Sequence, residues 1–410
     1  MIVSIPNAKQ TALNFLNNNG NKARGLPNYS ESNITEVQTI ENENGTPILY
    51  ALNLGNNEGF VVMSASLVEK PILAFNNEGK FDFENLGEFA GVVDWAYTKY
   101  LKINGLIEIG KTPSQSILNQ WSVVNPALEI GIADQNGNII PWVPLEIIDQ
   151  WDVSTTYGPF MTTRWNQRIS TTANSTVMGY NNFVGSNNCN TGIAPAGCVA
   201  VAMGQIMKYH NFPNLYNINS MPDVVNTSNY DNANAKNIAR LLQNIGQKVN
   251  MQYSCTGSSA YSADARTAFV TQYGYYTSNL SPMDLNSIVM NLTTESLPVY
   301  LDGCRDKIVK TSPRKTGIFR FTVGRTTYTY ENCHAWVTDG YQKIDRTVVY
   351  ENNHTSTYTI AEHIRMNWGW GDSGYNGWFD YERWETINGQ VIQAVEFIYN
   401  QHMIYNIQPN

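Results

Sequence analysis

A cysteine at the mouth of an apolar helix constrains this chain more than any other feature. Ala194-Pro195-Ala196-Gly197 lead into Cys198, an apolar segment of helical period follows through Met207, and Asn211 and Pro213 stop it after His210. That places a thiol at the first turn of a buried helix. Such a turn has unpaired N–H groups and partial positive charge, which favour thiolate over thiol, and thiolate is the attacking species. Read alone, the same stretch also fits a cysteine that packs as a small hydrophobe.

Nucleophilic chemistry at Cys198 requires a base, a group that holds the base, and donors for the oxyanion of a tetrahedral intermediate. The candidate base is His334, in Asn332-Cys333-His334-Ala335-Trp336-Val337-Thr338-Asp339-Gly340-Tyr341, at the start of a strand pattern. Groups at opposing element ends can meet across a cleft between lobes. Asn367-Trp368-Gly369-Trp370-Gly371 follows, where an amide and two indoles are placed to orient and shield an imidazolium. The oxyanion donors are the Cys198 N–H and the side-chain amide of Gln167, on a turn after Trp165-Asn166. Each motif has a plain structural alternative: a strand-end histidine, Trp-Gly packing, a surface glutamine.

At 410 residues the chain exceeds one typical domain, and 42% hydrophobic residues are ample for a core. A net charge of −8 without clustered cations argues against nucleic acid as partner. No apolar stretch is long enough for a membrane helix. Met1-Ile2-Val3-Ser4-Ile5-Pro6 lacks the basic start and apolar run of a signal peptide, so the reading is a cytosolic protein or a chain that begins after a removed leader. The cysteines, Cys189, Cys198, Cys255, Cys304 and Cys333, allow two bridges and one free thiol or five free thiols. No C-x-x-C and no H-E-x-x-H pattern occurs, so neither metal nor cofactor is expected.

In chain order, a short amphipathic helix over Ala8–Asn18 precedes strand patterns over Ile34–Ile40, Pro47–Leu54, Gly59–Ser64 and Ile72–Phe75, with a return through Lys80–Phe83 and a helix over about Leu86–Leu101. Lys111 to Thr156, with Pro126, Pro141, Pro144 and a turn at Asp134–Gly137, reads as an irregular linker open to proteolysis. After the Cys198 helix come helical patterns over Ala233–Val249, Ala260–Tyr273 and Met283–Leu292. Strand patterns follow at Pro298–Asp302, Phe319–Val323, Thr326–Tyr330, Ala335–Gln342, Thr347–Asn352, Ile364–Trp370, Gly377–Arg383 and Phe397–Ile407. Helices first and an antiparallel sheet second is an α+β pattern with two lobes contributed in order.

Taken together, Gly197-Cys198-Val199-Ala200 through Gln205-Ile206-Met207-Lys208-Tyr209-His210-Asn211-Phe212-Pro213, Thr162-Thr163-Arg164-Trp165-Asn166-Gln167, the strand from His334 to Tyr341 and Asn367-Trp368-Gly369-Trp370-Gly371 resemble, in order, the motifs of the streptopain family of papain-like cysteine peptidases. His334 lies 136 residues after Cys198, within the range of papain-like enzymes. Gly59–Ser64 and Ile72–Phe75 resemble that family's inhibitory prodomain.

The resemblance implies an inhibitory prodomain with its linker over 1–150 and a two-lobed papain-like peptidase domain over 151–410. It also implies a secreted zymogen whose partners are protein or peptide substrates and its own prodomain. Cys198 would be the nucleophile, His334 the base and acid, Gln167 an oxyanion donor, and Asn367 or Trp368 the group that orients the histidine. Two departures are Asn332-Cys333, where the family has glycines before the histidine, and Arg168 after the glutamine. The rival functions are a transglutaminase-like acyl transferase and a non-catalytic adhesin or decoy on the same scaffold.

Overall fold

The computed structural model describes all residues except 1, 20–27, 90, 129, 134–138, 143–145, 170–178, 185–188, 190–192, 317–320, 372–374 and 382–398. The N-terminal part places helix α1 (Ile5–Asn19) against strands β1 (Ile34–Glu41), β2 (Pro47–Leu54), β3 (Phe60–Ser64) and β4 (Ile72–Asn76), an antiparallel meander in register Ile34↔Leu54, Leu52↔Val61 and Val62↔Ala74. Helices α2 (Val92–Glu108) and α3 (Gln115–Val124) follow, then β5 (Ile130–Ala133), β6 (Ile139–Trp142) and β7 (Ile147–Tyr157). The helical lobe contains α4 (Cys198–His210), α5 (Ala233–Lys248) and α6 (Ser262–Thr271), with β8 (Tyr275–Tyr276), β9 (Ser281–Pro282) and α7 (Leu285–Met290) leading out of it. Strands β10 (Val299–Thr316), β11 (Phe321–Tyr350), β12 (Thr355–Asn367), β13 (Gly377–Asp380), β14 (Tyr399–Ile404) and β15 (Gln408–Pro409) complete the chain.

One antiparallel sheet runs through both halves of the molecule. Its order is β1-β2-β3-β4-β13-β12-β11-β10-β14-β9, with β7 also paired to β11. The junction is short, Phe75 opposite Trp378 and Ala74 opposite Phe379. Because partners in an antiparallel pair share a face, Tyr300 with Val337 and Asp302 with Ala335 look toward α4. Leu301 with Trp336 and Gly303 with His334 look the other way. The first face joins the core built from Val199 to Met207, Ile238, Leu241, Leu242 and Ile245. The second closes on Phe60, Phe81, Val92 and Trp95 of the N-terminal part.

Local chemistry explains the helix that matters most. Gly197 precedes α4 at φ +95°, a backbone conformation that glycine adopts freely and residues with a Cβ rarely do, with the Met251 methyl packed close by. Asn211 ends the helix in the left-handed conformation, with Pro213 beyond. Helix α5 is capped by Asn232, whose side chain accepts from the Ala235 N–H. It buries Ile238, Leu241, Leu242 and Ile245 at i, i+3, i+4 and i+7, each worth about 2 kcal/mol of transfer free energy.

Three expectations need correction. Lys80–Phe83 forms no strand, because the chain turns there into a 3-10 helix over Phe83–Glu88 capped by Asp82; the long helix accordingly begins at Val92 and extends to Glu108. Lys111–Thr156 is not irregular: α3 buries Leu118 and Trp121, and β7 pairs with β11 from Tyr341↔Tyr157 to Tyr350↔Ile147. The separate patterns at Thr326–Tyr330, Ala335–Gln342 and Thr347–Asn352 fall on one strand, β11, which ends at Tyr350, with Glu351 and Asn352 in the turn that follows. The turn at Asp134–Gly137, Pro144, Phe319, Arg383 and Phe397 lie outside the described residues.

Candidate active site

Cys198 is the first residue of α4, and its thiol lies under the backbone N–H groups of Ala335 and Val199. The residue is partly exposed, yet the sulfur is enclosed. Burial pushes the thiol pKa above its ordinary value; the N–H groups pull it down without reversing that shift, and the carboxylate of Asp302 adds to the rise. Cys198 is the free cysteine, since Cys189 bonds Cys255 and Cys304 bonds Cys333. Cys304 and Cys333 are opposite residues of β10 and β11, which places that bridge one residue before His334.

His334 is buried. Its imidazole stacks between Trp370, with centroids 5.0 Å apart and planes at 7°, and Trp336, at 6.1 Å and 11°. Its Nε2 lies 2.8 Å from the Trp368 carbonyl oxygen. A carbonyl only accepts, so Nε2 carries the proton and a neutral ring presents its lone pair at Nδ1. Burial lowers the pKa of His334 to about 4, and the Trp368 carbonyl opposes that shift. Thiol and imidazole are thus both uncharged at neutral pH. Cys198 and His334 are not hydrogen-bonded to each other; the thiol accepts from the N–H of Ala335, the residue after His334.

The remaining candidates surround this pair in different ways. The Gln167 carbonyl accepts from the Ala196 N–H at 2.9 Å, which ties the glutamine to the segment that delivers Cys198. Asn166 Nδ2 donates to the Trp370 carbonyl at 3.0 Å, and the Gly371 N–H to the Trp165 carbonyl at 3.1 Å. Trp368 supplies its backbone carbonyl to His334, while its ring packs on Trp336 and Phe379. The Asn367 side chain is hydrogen-bonded elsewhere than to His334. Its Nδ2 donates to the Thr163 carbonyl at 2.7 Å and to Gln205 Oε1 at 3.1 Å, and Gln205 Oε1 also accepts from the Trp165 N–H at 3.1 Å. Sequence reasoning missed Gln205; the available signal was an amide within the apolar face of α4.

The N-terminal part reaches into the site. Gly91, at φ +84° before α2, stands so close that a Cβ would lie 2.7 Å from Trp368 Cε3 and 3.0 Å from His334 Cδ2. Phe89 meets the edge of Trp370 at 5.9 Å, the ring on which His334 stacks. Lys70 and Lys99, from the same part, bind Asp380 of β13. Among the described residues no group of His, Cys, Asp and Glu could hold a metal ion, and no helix is long and apolar enough to cross a membrane.

Comparison with known proteins agrees with this geometry. The model of the peptidase C10 family matches residues 174–215 and 214–379, and that of the Spi protease inhibitor matches residues 2–97. Streptopain of Streptococcus pyogenes serotype M28 is 22% identical over 379 residues, covering 82% of this chain and 84% of its own; streptopain of serotype M1 gives the same figures. The structure of a prointerpain A fragment from Prevotella intermedia superposes with a TM-score of 0.54 at 16% identity, covering 92% of this chain and 99% of the other. Residues 2–97 thus form an inhibitor-type prodomain, the chain is a cysteine peptidase zymogen of α+β papain-like fold, and it belongs to the peptidase C10 family.

Proposed function

We propose that this peptidase is a secreted endopeptidase in which Cys198 and His334 form the catalytic pair, closed by the prodomain until it is cut away. The reading is carried by the bond between His334 Nε2 and the Trp368 carbonyl, which leaves Nδ1 as the basic atom on the residue beside Ala335, whose N–H meets the thiol. His334 Nδ1 takes the Cys198 proton, and the thiolate sulfur bonds to the carbonyl carbon of a protein substrate. The oxyanion accepts from the Cys198 N–H and from Gln167 Nε2. As the C–N bond breaks, His334 returns the proton to the leaving amine; water, deprotonated by His334, then cleaves the thioester. No cofactor enters these steps. Gln205 and Asn367 hold Thr163, Trp165 and the Trp368 segment in place and are positioning residues.

The test follows mass and casein hydrolysis for the full chain and for Cys198→Ala under reductant. The wild type is expected to lose its N-terminal part and gain activity, with the variant intact and at least about 10⁴-fold less active. Equal activity of the two after an added protease removes the prodomain would overturn the assignment.

A further inference from the structure

Two neighbouring rows of the sheet look toward α4. Ile404, Tyr300 and Val337 stand opposite one another on β14, β10 and β11 and are buried with the apolar side chains of α4. Two residues along each strand, the second row is His402, Asp302 and Ala335. Neighbouring strands are about 4.8 Å apart, so this row runs from an imidazole through a carboxylate to the residue whose N–H meets the Cys198 thiol. A carboxylate beside a nucleophile opposes formation of the thiolate by like charge. Asp302 acts on Cys198 in that sense and takes no part in the peptidase steps above.

Asp302 is held in place from three sides. Its Oδ1 accepts from the His402 main-chain N–H at 2.9 Å and lies 3.2 Å from His402 Nδ1. Its Oδ2 accepts from the hydroxyl of Ser262, the first residue of α6. Because the Ser262 proton is used there, the Tyr300 hydroxyl donates to Ser262 Oγ, at 2.9 Å. Burial and the Asp302 charge keep that phenol protonated. A carboxylate accepts, so His402 Nδ1 donates and a neutral ring has its lone pair at Nε2. The hydrogen bond to Asp302 raises the pKa of His402 above its ordinary value; burial opposes the rise and the Asp302 charge adds to it.

We propose that Asp302 and His402 are positioning residues for the nucleophile: the charge of Asp302 disfavours the Cys198 thiolate, and a proton at His402 Nε2 cancels that charge. A lone carboxylate would be a fixed penalty on the thiolate. Paired with His402, it is a penalty only once Nε2 is bare. Among the described residues, the titratable groups around this row are Cys198 of α4, Tyr300 of β10 and His334 of β11, whose ring is on the opposite face of the sheet. Strand β9 places Pro282 opposite His402 and α6 places Ser262 on Asp302, neither of them a charge. The inference rests on the peptidase reading above and deepens it.

Alkylation of Cys198, the free cysteine, by iodoacetamide reads the thiolate without needing peptide cleavage. Its rate is followed from about pH 4 to 9 in the wild type, His402→Gln, Asp302→Asn and the double variant, each freed of its prodomain by the same added protease. His402→Gln keeps a donor toward Asp302 but no charge. It is expected to move the rising limb of the profile to higher pH, at least about fivefold slower there, and to meet the wild type on the alkaline plateau. Asp302→Asn is expected to be no slower than the wild type, and adding it to His402→Gln to restore the wild-type limb. A network that only supports the fold predicts the reverse, a double variant slower than either single one and a loss that is the same at every pH. The proposal is overturned if the limb does not move in His402→Gln, if the deficit is independent of pH, or if the double variant is as displaced as the single. A wild type that alkylates yet leaves casein uncut would instead sink the peptidase reading, and the alkylation series would still decide for or against the pair.

Discussion

At Gly91 the prodomain backbone comes against Trp368 and His334 with no room for a methyl group. Gly91→Val therefore pushes the prodomain off the histidine, and the lag before self-processing of the variant is expected to shorten several-fold in a mass time course. Gln167→Ala removes one oxyanion donor and leaves the thiol in place; kcat/KM of the processed enzyme is expected to fall about 10²–10³-fold while Cys198 still alkylates. Cys198, His334 and Gln167 stand out in the sequence as candidates because side-chain chemistry at a helix start, a strand start and a turn is written in residue types. The sequence offered Asn367 or Trp368 as the group that holds the histidine without choosing between them, because the bond that His334 makes is to the Trp368 main-chain carbonyl, which every residue has. The same lack of a signature hid Gly91, whose importance lies in an atom it does not have.

Among the elements, β7 settles how the two halves are joined. It pairs with β11 over Ile147–Tyr157, and its Asp152 binds the buried Arg346 at 2.6 and 2.9 Å. A cut at residue 150 would break that strand, so we expect N-terminal sequencing of the processed enzyme to begin between Asn125 and Glu146, with β7 retained. Asp152→Ala strands a buried guanidinium and should destabilise the processed enzyme by about 3–5 kcal/mol in denaturant titration. The sequence pattern favoured a linker here because Pro126, Pro141 and Pro144 suggest breaks and because β7 is mostly exposed, leaving little apolar alternation to read. Helices α4 and α5 were legible to within a residue or two, since their caps and apolar spacing agree. The opposite error produced the fragments of β11: one strand passes between different partners, with a register shift between Ile344 and Asp345, and its apolar pattern changes where the partners do.

For the molecule as a whole, closure joins the prodomain to the peptidase through one sheet and through two buried histidines. His334 lies under Gly91, and His363 packs edge-on to Phe75 at 5.4 Å with Asp380, Lys70 and Lys99 around it. Burial lowers both pKa values to about 4, against an ordinary value near 6.5. The opened or unfolded chain therefore binds more protons than the closed one between about pH 6.5 and 4, and the stability these neutral rings contribute is lost as pH falls through that window. Asp380 does not add to the effect there: burial raises its pKa, but Lys99, Lys70 and His363 outweigh that and hold it ionised below the usual carboxylate range. The Tm of the Cys198→Ala zymogen is expected to drop by roughly 5 °C or more from pH 7 to pH 4.5. The central claim is that the prodomain keeps the Cys198–His334 pair uncharged, and the pH dependence of Cys198 alkylation by iodoacetamide before and after prodomain removal tests it most directly. The processed enzyme is expected to alkylate readily at about pH 6 and the zymogen at least about tenfold more slowly until alkaline pH; equal rates and identical pH profiles for the two forms would contradict this role of the prodomain.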